Sequence, residues 1–72
     1  MKGGDDMDVA QKIKEYIEAN GLKQTFVAEK SGIDNATLNA ILNGKIRLTV
    51  DRLQLICEAL NVKPEFFLSQ NS

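Results

Sequence analysis

The sequence predicts an all-α fold of five short helices around one core, two of them joined as a helix-turn-helix. Three observations carry that expectation. Apolar residues recur at steps of three and four in successive segments. No stretch shows sustained period-two alternation, and the only proline, Pro64, lies near the end. Asn20-Gly21, Ser31-Gly32 and Asn43-Gly44 interrupt the pattern, each offering the left-handed conformation that a helix C-terminus often needs.

The first helix is expected from about Asp8 to Asn20, with Val9, Ile13, Tyr16 and Ile17 as its apolar stripe and Asp8 as its N-cap. The second, about Lys23 to Lys30, turns Val27 and Ala28 inward. The third follows Asp34 as N-cap and runs from Asn35 to Leu42, with Leu38, Ile41 and Leu42 inside. The fourth, Val50 to Leu60, is capped by Thr49 and buries Leu53, Ile56, Cys57 and Leu60. Pro64 suits the first position of a closing turn that carries Phe66, Phe67 and Leu68. Helices this short cannot bury their stripes singly, so they share one core.

Seventy-two residues make one domain with a modest core. The folded unit is expected over residues 8–69, between a disordered N-terminal tail at 1–7 and a C-terminal tail at 70–72. No apolar run is long enough to cross a membrane, and "MKGGDDMD" lacks the apolar segment of a secretory signal. The single cysteine, Cys57, cannot form an internal disulfide and is expected as a buried free thiol. These features place the chain in the cytoplasm.

Net charge is −1 overall, which alone argues against nucleic-acid binding. The distribution is uneven, however. Residues 22–53 hold five cations (Lys23, Lys30, Lys45, Arg47 and Arg52) against three anions (Glu29, Asp34 and Asp51). The middle of the chain is the basic part, and it contains the tightest turn.

Two short helices joined by a glycine-containing turn of three or four residues mark a helix-turn-helix. Counting from Gln24 as one, the small residue Ala28 is fifth and Gly32 ninth. Val27, Ile33, Leu38 and Ile41 supply the apolar positions four, ten, fifteen and eighteen. The requirements are physical. Ala28 lets the helices cross closely, Gly32 supplies a positive φ, and the apolar positions pin the second helix while exposing its other side.

"LKQTFVAEKSGIDNATLNAILNGK" resembles the helix-turn-helix of the phage repressor/Cro family, also called the XRE family, and "RLTVDRLQLICEALNVKPEFFL" resembles that family's fourth helix and closing turn. The likeness covers about Ile13 to Leu68. It implies a five-helix, lambda-repressor-like DNA-binding domain whose third helix lies in the major groove, commonly in a two-fold dimer.

Carried over position by position, Gln24 matches a glutamine that contacts phosphate and braces the recognition helix. Thr25, beside it, joins the DNA-facing set. Asn35, Ala36, Thr37 and Asn39 match the exposed start and outer side of the recognition helix. There an asparagine can pair with an adenine edge, and alanine or threonine can touch a thymine methyl. Asn43 matches an asparagine that holds a phosphate, and Lys45 and Arg47 can meet the same backbone. The chain departs from the family at Asp34, Ala40 and Leu42, where serine, arginine and glutamate are frequent. Thr25 and Phe26 also replace commonly polar or acidic residues. Base reading would therefore rest on asparagine and threonine, implying weaker or more A·T-tolerant binding, or dependence on a dimer.

The function implied is sequence-specific binding of double-stranded DNA by a repressor-like transcriptional regulator, with a homodimer as partner state. The alternative is a protein-interaction module or antitoxin-like subunit on the same fold, favoured by the acidic balance, Ala40 and Phe26. Enzymatic function is not expected. There is no histidine, no metal-ligand cluster and no glycine-rich phosphate loop. No catalytic residue, metal, cofactor or small-molecule ligand is implied.

Overall fold

The computed structural model describes residues 6–68. The 70–72 tail and most of the 1–7 tail fall outside them. The described residues form five helices: α1 Asp6–Ala19, α2 Gln24–Ser31, α3 Asn35–Leu42, α4 Val50–Leu60 and α5 Glu65–Leu68. The boundaries of α3 and α4 are those expected. Helix α1 starts two residues earlier, so Asp8 lies inside its first turn and is not its cap. Helix α2 is shifted by one residue, with Lys23 at its N-cap position and Ser31 as its last residue.

Local chemistry explains the ends. Asp34 accepts from the Ala36 amide at 3.1 Å, and the Thr49 hydroxyl accepts from the Arg52 amide at 3.2 Å. Each satisfies a backbone donor that the helix cannot. Gly32 ends α2 at φ 77°. Asn61 ends α4 in the same left-handed region, at φ 61°, a stop the sequence reading did not identify.

The core follows the apolar stripes. Ile13, Val27, Leu38, Ile41 and Ile56 are wholly inaccessible. Ile33, Leu42, Leu48, Leu53, Leu60 and Phe67 complete the same cluster. Helix α2 packs on α3 and α4, and α1 on α3 and α5. Cys57 is buried and free. Burial, and then the nearby Glu65 carboxylate, push its thiol pKa up, so the neutral form is favoured.

The two adjacent phenylalanines divide their tasks. Phe67 is buried and Phe66 exposed, yet both rings meet Tyr16 edge-on, with centroids 5.4 Å (Phe66) and 5.7 Å (Phe67) away. Each such pair adds about 0.5–1.5 kcal/mol beyond area burial. This aromatic group ties the closing helix to α1.

Candidate nucleic-acid interface

Helix α3 separates its two sides sharply. Leu38, Ile41 and Leu42 are buried, whereas Asn35, Ala36 and Asn39 are exposed and Thr37 is half-buried. The outer edge thus offers two carboxamides, a methyl and a hydroxyl, all short side chains held on a helix that the core fixes. Asp34 occupies the helix N-terminus with its own carboxylate. It thereby uses up part of the anion-attracting end that would otherwise face a phosphate.

The turn into α3 is held from within. The Ser31 hydroxyl, buried, donates to the Ala28 carbonyl at 3.1 Å and accepts from the Ile33 amide at 3.3 Å. The Gly32 and Ile33 amides both reach the Ala28 carbonyl. Sequence reading treated Ser31 as a punctuation residue; it is a buried polar link between the two helices.

Gln24 and Asn35 are brought together across this turn, with Gln24 Nε2 donating to Asn35 Oδ1 at 3.4 Å. The contact links the first residue of α2 to the first of α3, at the long end of hydrogen-bond range. Thr25 lies exposed beside Gln24 and shares a shallow cleft with Ala28, Glu29, Ile33 and Asn35. The Glu29 carboxylate therefore borders the site, which sequence reading had not noticed.

At the far end of α3, Asn43 is engaged on both sides of its carboxamide. Its Nδ2 donates to the Asn39 carbonyl at 2.9 Å and to Asn39 Oδ1 at 3.0 Å. Its Oδ1 accepts from Lys14 Nζ at 3.2 Å. Lys45 and Arg47 follow on the exposed turn. Phe26 is 44% exposed on α2 with Lys30 Nζ 5.8 Å above its ring, a cation–π arrangement at the surface. Lys14 is the residue the sequence concealed. It lies 29 residues from Asn43, in a segment whose charge balance is acidic.

A polar helix edge raised on a locked two-helix bracket is the working part of helix-turn-helix DNA-binding regulators, and that is the class this geometry defines. The chain belongs to the helix-turn-helix family of the XRE type: the family model described as helix-turn-helix matches residues 13–67. Solved structures agree. The restriction-modification controller protein C.AhdI from Aeromonas hydrophila matches with TM-score 0.78 at 23% identity, over 85% of this chain and 92% of that one. The restriction-modification controller protein C.Esp1396I matches with TM-score 0.77 at 30% identity, over 85% of this chain and 78% of that one. A chain of the SinR protein/SinI protein complex matches with TM-score 0.73 at 24% identity, over 86% of this chain and 61% of that one. No curated protein is similar enough in sequence to match. Among the described residues no helix is long and apolar enough to cross a membrane, and no group of acidic, histidine or cysteine side chains is arranged to hold a metal ion.

Proposed function

We propose that this chain is a repressor-like transcriptional regulator that binds double-stranded DNA sequence-specifically, with α3 in the major groove. The observation that carries the reading is the division of α3: an apolar side locked in the core and an outer edge of Asn35, Ala36 and Asn39 left to solvent. Such an edge is short enough to enter the groove, and its groups match base-edge chemistry. Gln24, Thr25 and Thr37 complete the face, while Lys45 and Arg47 meet the backbone and Asn43 stands beside them at the end of α3. The likeness to controller proteins supports a regulatory role.

The same reading proposes that helices α1 to α5 make up one folded unit, with a cytoplasmic location, no enzymatic activity and a homodimer as the binding form. Phe66 and Leu68 are more than half exposed, and Val50 is 76% exposed; Val50 and Leu68 line one apolar groove with Val9, Leu48, Leu53 and Pro64. A second copy would cover this surface. The protein-interaction reading keeps the exposed Phe26 in its favour, and the Glu29 and Asp34 carboxylates at the edge of the site add to it.

Selection of duplexes from a random pool, followed by gel shifts at two salt concentrations, tests the proposal. An enriched sequence, bound less tightly as salt rises, is the expected result. Asn39→Ala should weaken binding to it by about 1–3 kcal/mol, the range for a bidentate base contact. No enrichment, with no shift at low salt, would overturn the DNA reading in favour of a protein partner.

A further inference from the structure

We propose that Lys14, on α1, is a ligand for the DNA backbone phosphate at the C-terminal end of α3, and that Asn43 positions it without itself donating to that phosphate. The inference rests on the DNA reading above and deepens it.

The donors available at that end of the helix are few. The amides of residues 43–46 are all engaged within the turn. The Asn43 amide donates to the Asn39 carbonyl, Gly44 to Ile41, and both Lys45 and Ile46 to Ala40. A phosphate arriving here must be met by side chains. The Asn43 carboxamide is not the donor either, since its Nδ2 already donates to two Asn39 oxygens, at 2.9 and 3.0 Å. Its orientation is fixed by chemistry: rotated by 180°, it would set oxygen against two oxygens and an NH₂ group against an ammonium. What Asn43 turns outward is therefore Oδ1, an acceptor that a phosphate oxygen would avoid.

Lys14 Nζ sits on that oxygen at 3.2 Å. The ammonium carries three N–H donors, and among the described residues no carboxylate is paired with it. Its stem is half-buried on a helix that packs against α3, which limits where the charge can go. The chain Asn39–Asn43–Lys14 thus places a full positive charge beside the exposed edge of α3. A charge-assisted bond from such a group is stronger than one from a neutral amide.

The duplex recovered by selection with the unaltered chain is the probe, and affinity is measured from 50 to 200 mM salt. Removing one phosphate contact should flatten the slope of log affinity against log salt by about 0.9. Lys14→Gln should therefore lose about 3.5-fold less affinity over that range than the unaltered chain, while Lys14→Arg keeps the full slope. Lys63→Gln, on the turn before α5, serves as the distant control and should leave it unchanged. In the Lys14→Gln background, adding Asn43→Ser should leave the affinity at fixed salt where it is, since the salt slope counts only charged contacts. Circular dichroism and thermal melts confirm that each variant is folded. An unaltered slope in Lys14→Gln would overturn the assignment of Lys14 while leaving the DNA reading intact. A further loss of affinity on adding Asn43→Ser would give Asn43 its own phosphate and overturn its positioning role. If no duplex is recovered, or binding ignores salt, both the DNA reading and this proposal fall.

Discussion

Gly32 sets the angle between α2 and α3 through its backbone alone. At φ 77°, with nothing within 4 Å of the place a Cβ would occupy, an added methyl would meet strain in its own residue and no neighbour. Gly32→Ala should lower unfolding free energy by about 1–2 kcal/mol, the cost of the left-handed region for an L side chain. Urea denaturation checks this: the midpoint falls and the slope stays constant. An unchanged midpoint would mean the turn does not depend on that conformation. At this scale the sequence was readable wherever the rule was local. Gly32, Asp34 and Thr49 act within four residues of their own positions. Lys14 and Ser31 were not readable. One bonds across 29 residues, and the other is a polar residue whose burial depends on how two helices meet.

Helix α3 is eight residues long, too short to persist alone in water, so its cap and its buried side must both contribute. Removing the cap by Asp34→Ala should destabilise the fold by about 0.5–2 kcal/mol, measured by thermal or chemical unfolding. It should also strengthen DNA binding at low salt, because a carboxylate leaves the vicinity of the phosphates. Unchanged or weaker binding would show that the cap matters more to the interface than its charge does. The starts of α3 and α4 were legible because a capping side chain, Asp34 or Thr49, precedes each apolar stripe, and Asn43-Gly44 marked the end of α3. Helix α1 was harder to place. Its apolar pattern fixes the face but not the first turn, and Asp8, expected as the cap, lies inside the helix. The roles of Phe66 and Phe67 also lay beyond sequence reading, since they depend on where Tyr16 of α1 stands.

At the scale of the whole molecule, the basic and apolar surfaces make different demands. The cations near α3 favour contact with an anion, whereas Val50, Leu68 and Phe66 favour a second apolar surface. A two-fold pair of these chains would need its recognition helices about 34–36 Å apart to meet successive turns of one duplex face. Sedimentation equilibrium should give a mass that rises with concentration toward two chains. Val50→Glu should hold it at one chain without unfolding the protein, because an acidic residue is welcome in the first turn of α4. A concentration-independent single-chain mass for the unaltered protein would remove the dimer from the proposal. The arrangement of this surface was only partly legible: the residue types were visible, but not that Val50 and Leu68, eighteen positions apart in the sequence, line one groove.

The buried Ser31 hydroxyl has a mechanical consequence. By joining the last turn of α2 to the Ile33 amide, it ties the turn to α2 and restrains its bending. In the DNA-bound form, more of any mismatch between protein and groove would then fall on the duplex. Deformation of DNA costs energy that depends on its sequence even at base pairs no side chain touches. A restrained, lightly charged reader of this kind would choose among sites partly by how readily each one bends.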